Sequence, residues 1–160
     1  MFQFAADPDL PRAELYRQLA EAADALTAGE DDGVANMANI AALLFQMLPD
    51  LNWAGFYRAA GQELVLGPFC GKPACIRIPF GIGVCGAAAA SGQSQLVPDV
   101  HAFPGHIACD AYSRSELVVP VLRNGAVIAV IDLDSPSPAR FDAEDQAGIE
   151  GLARIIASRI

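Results

Sequence analysis

Basic charge, long apolar runs and closely spaced cysteines are what this sequence has least of. Ten Lys and Arg residues face 19 Asp and Glu, a formal net charge of −9 over 160 residues. A surface for nucleic acid or for an anionic membrane needs a basic footprint, so neither partner is expected. No apolar stretch is long enough to span a bilayer. Met1-Phe2-Gln3-Phe4-Ala5-Ala6-Asp7 lacks the basic start and long apolar core of a secretory signal. The expected location is therefore the cytoplasm, where thiols are kept reduced. Cys70, Cys75, Cys85 and Cys109 are separated by 5, 10 and 24 positions. With neither a CxxC pair nor the Cys/His spacing of a zinc site, no metal is expected from the spacing.

What is present is apolar: 53% of the residues, ample for one core, in a length that fits a single domain over residues 1–160. Pro11 suits the first turn of a helix, with Leu15, Leu19, Ala22 and Leu26 on one face and Gly29 to end it. A second helix is predicted from Asp32 to Met47, with Val34, Met37, Ala41, Leu44 and Met47 at core spacing and Pro49 as the stop. Residues 51–58, 63–69 and 75–80 read as strands, the first two joined at Gly61-Gln62. A short Ala-rich helix over 84–90, a strand over 95–97 and a loop over 98–113 follow. The clearest hairpin pairs 116–122 with 126–134 around Asn124-Gly125. Asp142 is the N-cap of a last helix whose Ile149, Leu152, Ile156 and Ile160 share a face. Terminal helices around a largely antiparallel sheet make an α+β domain.

Gly81-Ile82-Gly83-Val84-Cys85-Gly86 spells GxGxxG, and Asp99 lies near the distance of a ribose-binding carboxylate. The following helix ends by Ser91-Gly92, too soon for a crossover between parallel strands, and no second βαβ unit follows. The glycines read as a tight turn whose exposed N–H groups could hold a small carboxylate.

Cys85, in an apolar stretch, reads as a small buried hydrophobe. Cys109 sits in a polar loop after His106, where its thiol should be accessible. His106 would favour the thiolate and Asp110 oppose it. Asp132 and Asp134 share a strand face, with Val127, Ile131 and Leu133 on the other. The face of Glu116 depends on the turn. A two-residue loop pairs Arg123 with Ala126 and sets Glu116 opposite Leu133. A three-residue loop sets it opposite Asp132 and clusters three carboxylates. Carboxylates so close cannot all ionise easily, which would leave a general acid near neutral pH and attract an ammonium group.

The sequence resembles the free methionine-R-sulfoxide reductases, a GAF-domain family, most densely from about Asp50 onward. The matching stretches are Asn52-Trp53-Ala54-Gly55-Phe56-Tyr57, Gly71-Lys72-Pro73-Ala74-Cys75-Ile76-Arg77-Ile78, Gly83-Val84-Cys85-Gly86, the run from Leu96 to Asp110, Ser115-Glu116 and Asp132-Leu133-Asp134-Ser135. The resemblance implies a single GAF-like domain and an oxidoreductase with no resident cofactor. It implies that Cys109 attacks the sulfoxide sulfur and becomes a sulfenic acid. Cys85 or Cys75 then forms a disulfide with it, which thioredoxin reduces. Glu116, Asp132 and Asp134 match the family's active-site carboxylates. Trp53 and Tyr57 match aromatic residues lining the pocket. The mechanism needs Glu116 beside Asp132 and Asp134, so an odd-length connection or a bulge near Gly125 is expected. Cys70 departs from the family pattern and leaves a third candidate for the disulfide. Oligomeric state, a homodimer included, stays open. The competing class is a GAF sensor that binds a small ligand without chemistry. Such a domain usually sits beside an output domain and does not require Cys109.

Overall fold

The computed structural model describes residues 10–105 and 111–160. Helix α1 runs Arg12–Thr27 with Pro11 at its N-cap. Helix α2, Gly33–Met47, is capped by the Asp32 carboxylate, which accepts from the Val34 and Ala35 backbone N–H groups. Val34, expected in the core, is 53% exposed. It lies in the first turn, ahead of Asn36, where the buried stripe of α2 begins. Strands β1 (Trp53–Ala60), β2 (Glu63–Gly71) and β3 (Arg77–Pro79) precede helix α3 (Gly83–Ser91) and strand β4 (Gln95–Val97). The strand expected over 75–80 is only the three residues of β3. The loop read over 98–113 contains a 3₁₀ turn at Val100–Ala102. Strands β5 (Ser115–Arg123) and β6 (Ala126–Ser135) form the central hairpin, and helix α4 (Ala143–Ile156) closes the described chain.

The six strands form one antiparallel sheet in the order β3-β2-β1-β6-β5-β4. Pleating gives it two chemically different faces. One face carries Phe56, Leu117, Ile131 and Leu133 under α1, α2 and α4, whose Leu19, Ile40, Leu44 and Leu152 are fully buried. The other carries Trp53, Tyr57, Val118 and Val130, packed with Val84, Cys85 and Ala88 of α3. Among the described residues no helix is long and apolar enough to cross a membrane.

The hairpin resolves the register question by a route between the two expected ones. Arg123 pairs with Ala126, so the connection is the two-residue Asn124-Gly125, both at positive φ (53° and 80°). The bulge is not at Gly125. It falls where Leu122 pairs with Val127 but Val121 pairs with Ala129, leaving Ile128 as the extra residue. Ile128 and Ala129 both pack on the helical face, and Val127 is thrown onto the opposite face with Val130. The expected grouping of Val127 with Ile131 and Leu133 is therefore wrong. Beyond the bulge Glu116 pairs with Asp134, and Val118 with Asp132.

Candidate active site

The site is a pocket on the α3 face of the sheet, and strand alternation supplies its aromatic and carboxylate residues. Trp53 and Tyr57 are separated along β1 by Gly55, which shares their face. A Cβ at Gly55 would stand 2.4 Å from Cβ of Phe69 and 2.8 Å from the Trp53 ring. Glycine there lets the three rings gather: Trp53 stacks on Phe69 at 5.2 Å and on Tyr57 at 5.8 Å between centroids. The Trp53 indole N–H donates to the Lys72 carbonyl at 3.1 Å, fixing the ring against the segment that leads to Cys75.

The GxGxxG stretch serves this wall and not a nucleotide. The Gly81 N–H donates to the Gly86 carbonyl at 2.8 Å, so the motif closes on itself at the start of α3. A side chain at Gly86 would meet the Pro79 carbonyl oxygen at 2.4 Å, which accounts for the last glycine as a packing requirement. Ile82, Gly83 and Val84 then line the pocket at the α3 N-terminus.

Facing the aromatic wall are Glu116, Asp132 and Asp134, with Cys85 beside them. Glu116 and Asp132 are each 6% exposed. Burial holds the Glu116 carboxyl well above the usual carboxylate range, and the neighbouring charges of Asp132 and Asp134 add to this. Burial raises Asp132 to about 6, against hydrogen bonds from Cys85 and Glu116 that favour its anion. Both shifts favour retention of a proton within the pair, with Asp132 placed to accept from Glu116. The Cys85 thiol, 4% exposed, donates to Glu116 Oε1 at 3.9 Å. Burial, then the charges of Asp132 and Glu116, push its ionisation well above the ordinary thiol value. Burial and the same carboxylates likewise keep the Tyr57 phenol protonated.

The structure thus gathers Trp53, Tyr57, Cys85, Glu116, Asp132 and Asp134 around one pocket. Cys75 packs against the same apolar cluster and is disulfide-bonded, whereas Cys70 and Cys85 are free thiols. Cys70 pairs with Ala54, a residue of the helical core, so pleating turns it to the face away from the pocket. Cys109, with His106 and Asp110, lies outside the described residues. Two polar lining residues had not been singled out as site residues. Ser113 is buried, and its hydroxyl accepts from the Asn52 side-chain amide at 3.0 Å. Lys72 lines the mouth with its ammonium 3.8 Å from the Tyr112 ring centre. Both lie in or beside stretches already noted, but nothing in local sequence aims a loop side chain at a pocket.

The GAF domain family model matches residues 13–160. Free methionine-R-sulfoxide reductase of Escherichia coli is 50% identical over 141 residues, covering 88% of this chain and 86% of that protein. The enzyme of the same name from Saccharomyces cerevisiae is 42% identical over 156 residues, covering 92% and 87%. The crystal structure of free methionine-R-sulfoxide reductase from Neisseria meningitidis in complex with its substrate superposes with a TM-score of 0.92 at 45% identity, covering 99% of this chain and 94% of that one. The chain therefore belongs to the GAF-domain family and, within it, to the free methionine-R-sulfoxide reductases.

Proposed function

We propose that this protein reduces free methionine-R-sulfoxide to methionine, with Cys109 as nucleophile and Glu116 as general acid. The observation that carries the reading is buried Glu116 lining one pocket with two further carboxylates and Trp53, a setting that raises its proton affinity. Cleaving the sulfur–oxygen bond requires an acid at the oxygen, and the free amino acid brings an ammonium group that needs anions. Glu116 meets the first need; Asp132 and Asp134 meet the second. The N–H groups opening α3 receive the substrate carboxylate, and the Trp53 ring packs on its methyl group.

The Cys109 thiolate attacks the sulfoxide sulfur while Glu116 protonates the oxygen. The hydroxyl so formed then migrates from the methionine sulfur to the Cys109 sulfur as the sulfur–sulfur bond breaks, so methionine leaves reduced by two electrons and Cys109 is left oxidised as a sulfenic acid. The Cys75 thiol then attacks that sulfur, expelling water and forming a disulfide. Cys75 is favoured over Cys85 as the resolving thiol because it is disulfide-bonded, while Cys85 is a free thiol turned into the carboxylates. A dithiol reductant of the thioredoxin class returns both cysteines to thiols. The protein acts in a reducing compartment, the cytoplasm, without a resident cofactor. NADPH oxidation in the presence of thioredoxin and its reductase tests the reading. Turnover with the R epimer and little with the S epimer is expected; equal turnover of both, or none, would overturn it.

A further inference from the structure

The floor of the pocket holds a ligand set that no spacing in the sequence announces, because it is drawn from three elements. Cys85 comes from α3, Glu116 from β5 and Asp132 from β6. One ligand atom from each lies within 4.8 Å of the others, and all three residues are buried. A zinc ion about 2.3 Å from a thiolate sulfur and about 2.0–2.2 Å from a carboxylate oxygen holds those atoms roughly 3.6 Å apart at the tetrahedral angle. Cys85 Sγ and Glu116 Oε1 are 3.9 Å apart, so a shift of a few tenths of an ångström completes that edge.

A second observation points the same way. Asp132 Oδ1 is buried and has no hydrogen-bond partner, although its residue is 6% exposed. A buried carboxylate oxygen without a donor is costly, and a cation satisfies it as well as a proton does. The sulfur ligand discriminates against hard cations such as magnesium and calcium, which take oxygen. Cys85, Glu116 and Asp132 all line the pocket that Trp53 and Asp134 also line, so a fourth ligand would come from that side.

We propose that Cys85, Glu116 and Asp132 form a zinc site whose open coordination position faces the substrate pocket, so that zinc and the sulfoxide exclude each other. Binding displaces the thiol proton and the proton held by the carboxylates, leaving a thiolate and two carboxylates on the ion. The exclusion rests on the proposed reductase reading, since it needs Glu116 and Asp132 for the substrate; the binding itself does not.

Cobalt(II) and zinc chloride are the probes. Cobalt should give one site per chain with a thiolate-to-metal charge-transfer band. That band should disappear in Cys85→Ser, and zinc affinity should fall at least tenfold in both Cys85→Ser and Asp132→Asn. The wild-type spectrum decides even if a variant fails to fold, because tetrahedral cobalt with a single thiolate differs from oxygen-only ligation. Absence of the band, or its survival in folded Cys85→Ser, would overturn the site. In the coupled assay zinc should raise the apparent KM for the sulfoxide, with the reductant system controlled separately using a small-molecule dithiol. Cobalt binding through Cys85 without any effect of zinc on sulfoxide turnover would overturn the exclusion. A cobalt band in a protein that never turns over sulfoxide would overturn the reductase reading and leave the zinc site standing.

Discussion

At the scale of single residues, function rests on side chains that sit in unfavourable surroundings. Glu116 and Asp132 would be better solvated on a surface; buried together, they retain a proton. Glu116→Gln keeps the shape and hydrogen bonding but loses the transferable proton. It should slow the chemical step roughly 10²–10⁴-fold in single-turnover methionine release. Asp132 tests the same electrostatics through stability. Its folded-state value of about 6 exceeds the ordinary 3.8, so the folded state binds the extra proton between those values. Stability is then fully retained below the lower value and lost as pH rises through the upper. Asp132→Asn escapes that loss, so thermal melts should show its Tm gaining on the wild type from about pH 4 to about pH 7. A gap that stays constant with pH would contradict the assignment. The pairing of Asp132 with Asp134 was legible from their spacing of two. The burial that gives them a raised proton affinity was not, because it depends on α3 and β5.

At the scale of elements, most helices and strands follow from local signals. Asp32 and Asp142 cap their helices through the donors expected of an N-cap. Asn124-Gly125 makes the two-residue turn that its residues favour. A bulge near Gly125 was expected from the need to bring Glu116 onto the Asp132 face; its exact position at Ile128 was not legible, because a run such as Ala126-Val127-Ile128-Ala129-Val130 is apolar throughout and carries no period to break. Whether Ile128 is bulged out or kept in the ladder decides whether Glu116 meets Asp134 or Leu133. Deleting Ile128 should join Val127 directly to Ala129 and leave the Glu116–Asp134 pairing unchanged. The variant should lose about 1–2 kcal/mol for the half-buried side chain yet keep kcat within about tenfold, read by urea titration and the coupled assay. Loss of activity in a folded deletion variant would show that the bulge does more than set register. The contraction of the strand over 75–80 to Arg77–Pro79 has a related cause: β3 is an edge strand, and its length is set by how far it pairs with Glu63–Val65.

At the scale of the whole molecule, the sheet separates two tasks. The face under α1, α2 and α4 holds the core; the α3 face holds the pocket. The two terminal helices are tied by Asp145, 1% exposed, which accepts from the Tyr16 hydroxyl at 2.6 Å, from Arg12 at 2.8 Å and from Arg140 at 3.1 Å. It also closes the capping box of α4 by accepting from the Asp142 N–H at 2.9 Å. Sequence reading found the cap and missed this network, since its partners are up to 133 positions apart. Asp145→Ala leaves the Tyr16 hydroxyl without its acceptor and the Arg140 side chain with only the Pro49 carbonyl as acceptor among the described residues, and should cost about 3 kcal/mol in denaturant unfolding, with kcat of the folded protein near wild type. An equal loss of kcat would mean that the two faces are coupled.

The central claim is that free methionine-R-sulfoxide is reduced here with Cys109 attacking and Cys75 resolving. Its most direct test is a single turnover of fully reduced protein with the R epimer and no recycling reductant, followed by thiol mapping. One methionine per chain is predicted, with Cys109 and Cys75 joined in a disulfide, Cys70 and Cys85 still alkylatable, and no methionine from Cys109→Ser. A stoichiometric methionine burst from Cys109→Ser, or oxidation of Cys85 in place of Cys75, would contradict the account.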